Sequence, residues 1–552
     1  MDRTVVTEGA QATRIRPDQA VSLPTALRSA WSWLGVGAIT AAAAAFLLHQ
    51  LMAWPPHEDE TLALLVGRDS LGGVIDHVTR ERGGAPLHFV FAWAVAHAGL
   101  GLGGLRLVSA ALAAASLPLV TLLGTRLADR RTGLLATALV AGSWVFLFHG
   151  VYARMYSLFL FTSLLATLAL LRALDRDTRG AWALWIAAGL AAVAAHPYGA
   201  LVLAAHGLYI VVARRDRRRS SLIAGAVLLA AGIPFWLTDL VLAGRFEVGV
   251  GGGGEKLGGP WSVAQYLWRT AGDFSAGWRP VLIAVIALVV LGAFSLRRTS
   301  LLLAAALVAA PAAAFLAARL GGSTSPESRH LIFVLPVFAV LLAAGILRVT
   351  RRRPALAVGA AALLLAAEIG WAWHRTPPLF EWEPDARQTA RQEASAYLAS
   401  SARADDVLFG YEPLYLDAWE RSRNFPRTVL PRADATLMLR ILERQTRPLG
   451  RGVWVHDASE RNNLKPRLEI ELRSPRPAEA FEVRRFGPFL VVRTKEPTGT
   501  PDRYLLQAAR AQVLGRGLGI GDADVNMRTV ELADRTQRGY GASARSRSSN
   551  SR

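Results

Sequence analysis

The sequence predicts an all-α polytopic membrane bundle of about eleven or twelve transmembrane helices, followed by a small extracytoplasmic α/β domain. Three observations carry that expectation. Of 552 residues, 52% are hydrophobic and only 19% charged, and the apolar ones gather in long runs between residues 31 and 373. Short arginine clusters separate the runs. Beyond residue 374 the runs stop and give way to amphipathic helix and strand patterns. The 62 basic residues against 42 acidic leave a net charge of +20, which in a soluble protein would suggest nucleic acid. Here the arginines lie between apolar runs and read as topology signals, so no nucleic-acid partner is expected. With no cysteine, disulfides, a thiolate nucleophile and a Cys-ligated metal are all excluded.

Residues 1–30 carry Arg3, Arg14, Arg16 and Arg28 but no apolar core, and read as a cytoplasmic tail before an uncleaved first span. A transmembrane domain over 31–373 follows. Its apolar runs are 31–53, 86–100, 105–124, 133–148, 157–174, 181–195, 199–213, 222–242, 281–296, 301–320, 331–347 and 355–373. Several fall short of the ~20 residues a perpendicular helix needs. Their Ala/Gly content suits close helix packing. The basic loops at 129–131, 172–179, 214–219, 297–298 and 348–353 all lie inside if 86–100, one of the shortest runs, does not complete a crossing. Eleven spans result, and a genuine twelfth would put one basic loop on the wrong side. With eleven, the first outer loop, 54–84, shares its face with the turns at 152–154, 196–197, 244–279 and 323–329, and with everything after Trp373.

The soluble part, 374–496, reads as helices over 383–402 and 433–445, strands over 406–409 and 453–456, and a hairpin of 481–486 with 489–493 around Gly487-Pro488. From 497 to 552 periodicity is lost, and the expectation is a mostly disordered tail. The glycines at 251–254 lack the Lys-Ser/Thr of a phosphate-binding loop. Residues 249–259 read instead as a flexible cover, with Trp261, Tyr266, Trp268 and Trp278 as interfacial aromatics.

The first outer loop opens with His57, Glu58, Asp59 and Glu60 after Pro55-Pro56. Acids in a first helical turn can simply complement the macrodipole. A carboxylate where lipid meets water can equally serve as a base beside a lipid-borne substrate. On these residues alone both readings stand.

Taken in order, six segments resemble the successive landmarks of the GT-C membrane glycosyltransferases of the protein O-mannosyltransferase (glycosyltransferase family 39) and lipid A aminoarabinose transferase type. They are Asp59-Glu60, Gly84-Ala85-Pro86-Leu87-His88, the start of the 105–124 run, Tyr152-Ala153-Arg154-Met155-Tyr156, His196-Pro197-Tyr198-Gly199, and Ser328-Arg329-His330 through Leu335-Pro336. The likeness covers about 31–347 and its strength is collinearity. It implies a GT-C domain among membrane lipids that takes a polyprenyl-phosphate sugar donor and a lipid, glycan or protein acceptor on the extracytoplasmic face. Asp59 would be the general base of an inverting displacement, with Glu60 orienting it. Arg154 and Arg329 would hold the donor phosphate, and Tyr152, His196, His330 and His88 would complete the donor site.

Two departures from the family pattern stand out. Tyr152 replaces a second acidic residue, and Gly84-Ala85 replace a polar residue and a proline. No metal site is expected on that account, although His57, Glu58, His77 and His88 leave room for a divalent cation. Of the 11 histidines, His97, His149 and His206 read as hydrogen-bonded helix residues. A flippase or transporter of a polyprenyl-linked sugar, with Asp59 coupling protons, is an alternative, as is a non-catalytic GT-C-like bundle. The absence of an internal repeat, and the gathering of acids at one surface apart from Glu368, favour the transferase. The arginine, alanine and leucine bias, with lysine only at 256, 465 and 495, suggests a bacterial plasma membrane.

Overall fold

The computed structural model describes residues 25–53, 56–245, 260–320, 327–351, 353–431, 435–457 and 480–517. Most of the expected cytoplasmic tail, the glycine-rich cover at 249–259 and the chain beyond 517 lie outside the described residues.

The chain begins with α1 (Thr25–His49) and then three short helices, α2 (Glu58–Gly67), α3 (Leu71–Asp76) and α4 (Pro86–His97), with a π-helical turn, His77–Arg82, between the last two. The bundle continues through α5 (Gly101–Leu127), α6 (Arg130–Gly142), α7 (Trp144–Val151), α8 (Met155–Arg176), α9 (Arg179–Ala195) and α10 (Gly199–Ala213). It closes with α11 (Arg218–Ala231), α12 (Ile233–Arg245), α13 (Pro260–Phe274), α14 (Arg279–Ala293), α15 (Arg298–Leu320), α16 (Leu335–Thr350) and α17 (Pro354–Arg375).

Among the described residues, α5, α8 and α17 are each long and apolar enough to cross a membrane. Three bent pairs, α6 with α7, α11 with α12 and α13 with α14, turn by 60°, 56° and 89°. Shorter apolar helices come from α1, α9, α10, α15 and α16. These eleven segments coincide with eleven of the twelve apolar runs. The twelfth run forms α4, whose 12 residues rise about 18 Å, well short of a ~30 Å hydrocarbon core. Small residues set the tightest approach in the bundle. A Cβ on Gly292 of α14 would sit 1.8 Å from the Leu341 carbonyl oxygen, and one on Gly345 of α16 would sit 2.0 Å from that of Leu288. Only glycine at both positions lets those backbones touch.

The C-terminal domain comprises α18 (Asp385–Ser401), β1 (Val407–Phe409), α19 (Leu414–Arg421), β2 (Thr428–Leu430), α20 (Ala435–Glu443), β3 (Gly452–Asp457), β4 (Phe481–Phe486), β5 (Phe489–Thr494) and α21 (Pro501–Gly517). The sheet order is β2-β1-β3-β5-β4. β1 runs parallel to β2 and β3, and β5 antiparallel to β3 and β4, with Phe486 opposite Phe489 at the hairpin. Alternation along β3 splits the core: Val453 and Val455 face the α18–α19 side with Ala394 and Tyr415, while Trp454 faces Met438 and Tyr504. Helix α21 corrects the expectation of disorder over 501–517, and residues 518–552 lie outside the described residues. Tyr504, Leu505, Ala508 and Ala511 are buried at helical spacing, and the Tyr504 ring stacks on Trp454 at 5.7 Å. Half of that buried stripe is alanine, which leaves little apolar contrast among the surrounding arginines and glutamine.

The domain docks on the loop that carries Asp59. Leu62 and Leu65 of α2 pack against the core around Leu408, Leu414 and Tyr415, and Leu416 is buried with Ala63, Leu64 and Val66. Arg444 pairs with Glu81, and the Arg82 guanidinium donates to the Tyr411 hydroxyl.

Candidate active site

The N-terminus of α2 builds the site. His57 caps it, its Nδ1 accepting the Asp59 N–H at 3.2 Å, while Glu60 Oε2 accepts the His57 N–H at 3.1 Å. This reciprocal cap satisfies two donors that a helix start otherwise leaves open. The capping role that the acids could have played therefore falls to Glu60 and His57, and the Asp59 carboxylate is used elsewhere.

Glu60 is completely buried and holds a bidentate ion pair with Arg106 of α5, Nε to Oε1 at 2.8 Å and Nη2 to Oε2 at 2.7 Å. Its Oε1 also accepts the Ala153 N–H at 3.0 Å, and Arg106 Nη1 donates to the Leu51 carbonyl at 2.9 Å. Four segments are tied at one point. The hydrogen bonds of Glu60 go to Arg106, Ala153 and His57 rather than to the Asp59 side chain, so the expected orienting role is exercised through the backbone of α2. Arg106 was not among the site residues expected from sequence. The available signal was a lone charge inside an apolar run, which asks for a partner of opposite sign.

Asp59 Oδ2 meets three groups: the Tyr152 hydroxyl donates to it at 2.7 Å, Arg154 Nη1 lies at 3.0 Å, and His57 Nδ1 at 3.5 Å. The side chain is 31% exposed. Burial alone would raise its pKa, but Arg154, His57, the Tyr152 hydroxyl and Arg329 outweigh it and hold the carboxyl at about 2. Tyr152, which stands where the family pattern has an acid, thus hydrogen-bonds the neighbouring carboxylate instead of adding a second one.

Arg154 caps α8, and Arg329 lies in the 3-10 turn Ser328–Leu331. Their guanidinium carbons lie 5.4 and 5.6 Å from the centre of one ring, that of Tyr156. They are 19% and 25% exposed, and Arg329 pairs with Glu327 at 2.8 Å. Around the buried Tyr156 ring stand His149, His196 and His330 at 4.5, 5.7 and 5.8 Å. His196 Nδ1 accepts the Tyr198 N–H at 3.0 Å, and His330 Nδ1 accepts the Glu327 N–H at 3.1 Å. Both imidazoles therefore brace turns beside the arginines. His88, on α4, lines a crevice with Phe91, Leu105, Ser109, Arg154 and Leu158. Burial, then the Arg154 charge, pushes it down to about 4 against the pull of Asp59, so it is neutral at pH 7.

The path into α4 explains the glycine departure. Gly83 and Gly84 have φ of 69° and 64°, and the Gly84 N–H donates to the Thr238 carbonyl at 3.1 Å. A Cβ on Gly83 would sit 2.3 Å from the Leu242 backbone nitrogen of α12. Larger residues would strain the backbone here and push α12 away.

Among the described residues, no three His, Asp or Glu side chains converge as a metal site would require. His77 faces Glu81 at 2.8 Å and Asp69 at 3.5 Å, in a surface network with Arg444. His206 bonds Thr167 and Trp185, and His97 bonds the Trp93 carbonyl, as expected of helix residues. His149 corrects the same expectation: both its ring nitrogens are buried without a hydrogen-bond partner among the described residues, beneath Tyr156.

No protein-family model and no curated protein matches the sequence. Among solved structures, ArnT from Cupriavidus metallidurans in its apo state superposes with a TM-score of 0.53 at 15% identity, over 85% of this chain and 98% of that one. The structure of ArnT from the same organism bound to undecaprenyl phosphate gives 0.54 at 15% identity, over 84% and 98%. The likeness is one of fold: bundle and C-terminal domain together have the GT-C architecture.

Proposed function

We propose that the chain is a membrane glycosyltransferase that moves a sugar from a polyprenyl-phosphate donor to a hydroxyl or amine acceptor on a lipid, glycan or protein, at the extracytoplasmic face of a bacterial plasma membrane. One observation carries this reading. Arg154 and Arg329 both lie against the Tyr156 ring, and Arg154 also pairs with Asp59, so two cations for a phosphate stand next to a carboxylate. ArnT of Cupriavidus metallidurans, with the same fold, has been solved with undecaprenyl phosphate bound, and this supports a lipid phosphate here.

In the reaction the acceptor oxygen or nitrogen attacks the anomeric carbon as the bond from that carbon to the phosphate oxygen breaks, inverting the configuration. The bonding pair leaves on the phosphate, where two guanidinium groups stabilise the added charge. The acceptor proton passes to the Asp59 carboxylate. A carboxyl held at about 2 is a weak base, so the proton moves late, once the forming bond has acidified it. Any divalent cation would add to this set, and none of these steps is assigned to one.

The deciding assay incubates purified protein with a polyprenyl-phosphate sugar and candidate acceptors. Release of polyprenyl phosphate together with a glycosylated acceptor supports the reading. A flippase or a non-catalytic bundle would release none.

A further inference from the structure

Arg329 is carried by a short element, and the contacts inside that element do not say where it lies. Within the 3-10 turn Ser328–Leu331 and its cap, His330 Nδ1 accepts the Glu327 N–H at 3.1 Å and Arg329 Nη2 meets Glu327 at 2.8 Å. Among the described residues, one hydrogen bond ties the turn to another helix. The Ser328 hydroxyl donates to Asp273 Oδ2 at 2.8 Å. Ser328 adjoins Arg329 in the chain, so this bond acts one residue from the guanidinium.

Asp273 is itself anchored. It is buried in the last turn of α13, at the 89° bend into α14, and its other oxygen, Oδ1, faces Arg375 Nε of α17 at 3.3 Å. Two more residues of the bend reach the same helix. Ser275 Oγ donates to Glu368 Oε1 at 3.0 Å, and Gly277 lies so close to Trp371 that a Cβ would sit 2.2 Å from the indole ring. Glu368, Trp371 and Arg375 follow one another at i, i+3 and i+7, so one stripe of α17 holds the bend at three points. A carboxylate accepts from two donors at once, and Asp273 thereby joins α17 to the Arg329 turn. Ionisable residues inside a membrane bundle are costly, and the transfer steps proposed above leave this acid unused.

We propose that Asp273 is a positioning residue for the donor phosphate: through the Ser328 hydroxyl it sets the place of Arg329, and through Arg375 it takes that place from α17. The inference rests on the reading that Arg329 binds a lipid phosphate.

Undecaprenyl phosphate is the probe, titrated against the purified full chain in nanodiscs. Ser328→Ala removes the link while Asp273 keeps Arg375, so no charge is left unpaired; Ser328→Thr restores the hydroxyl. Ser328→Ala should bind the probe about three- to tenfold more weakly, and Ser328→Thr should recover most of that loss. Asp273→Ala should weaken binding by a similar factor, and combining it with Ser328→Ala should add nothing. With Arg329 already changed to Gln, Ser328→Ala should cost nothing further. In transfer kinetics the loss should appear in the KM for donor, with the KM for acceptor unchanged. Unchanged probe affinity in Ser328→Ala, or an equal loss in the Arg329→Gln background, would overturn the inference and leave the lipid-phosphate reading standing. Failure of the unaltered protein to bind the probe, or full binding by Arg329→Gln, would instead bring down that reading and the inference with it.

Discussion

Glu60 and Arg106 form a completely buried bidentate ion pair whose position fixes that of Asp59, the residue next to Glu60 in the chain. Removing one partner of such a pair leaves an uncompensated charge in the interior. Arg106→Leu should therefore lower stability by about 3–5 kcal/mol, seen as a drop in the thermal midpoint of the detergent-solubilised protein. A loss of activity at unchanged midpoint would assign Arg106 to chemistry instead.

Asp59→Asn keeps size and most hydrogen bonding but removes the proposed base. Transfer should fall by ~10²–10⁴ while the thermal midpoint stays near that of the unaltered protein. Near-normal turnover would move the base to another carboxylate.

The acid limb of the rate profile tests the charges around Asp59. Its carboxyl is held at about 2, below the ~4 of a free side chain. A depressed folded-state pKa contributes stability that is present above the unfolded value and is lost as pH falls from ~4 through about 2. Between pH 5 and 8 this group should leave stability flat, and kcat/KM in that range should show no titration from it. Arg154→Gln removes the foremost of the charges that lower the value, so the acid limb should move to higher pH. A limb that stays in place would show that Arg154 does not set the carboxyl.

Because the chain has no cysteine, single cysteines report sidedness on a clean background. Position 444 and the first outer loop should react together with a membrane-impermeant thiol reagent on intact cells, and position 218 should not. Labelling at 218 with protection at 444 would invert the proposed orientation.

Tyr504→Ala should destabilise the C-terminal domain by about 3–5 kcal/mol, because that ring is buried against Trp454. Hydrogen exchange along 501–511 should be slow in the unaltered protein. Fast exchange there would remove α21 from the domain.

The helices of the bundle were legible because each apolar run is a contiguous chemical signal: eleven of the runs reappear as eleven helical segments, six of them long and apolar enough to cross a membrane when each bent pair is taken as one, and the 86–100 run forms a helix of 12 residues. The hairpin at Gly487 was legible for the same reason, since a turn residue lies between two alternating strands. Strand β2 and helix α19 were not foreseen: β2 is a short segment between Pro426 and Pro431, which read as loop, and α19, the eight residues that follow Pro413, is too short for a helical period to show. In the site, Asp59 and Arg154 could be singled out one by one. Their pairing could not, because it brings Arg154 Nη1 directly to Asp59 Oδ2, at 3.0 Å, from a distant part of the chain. Arg106 was hidden because its apolar neighbours made it read as part of a span.

Helix α2 is ten residues long, with Asp59 in its first turn and Leu62 and Leu65 packed against the C-terminal domain. A rod that short does not bend, so a tilt imposed through the leucines reaches the carboxylate undiminished. The C-terminal domain is in this sense the handle of a lever whose tip is the proposed base. A chain truncated after α17 would keep every side chain of the site and still lose the hand that aims it.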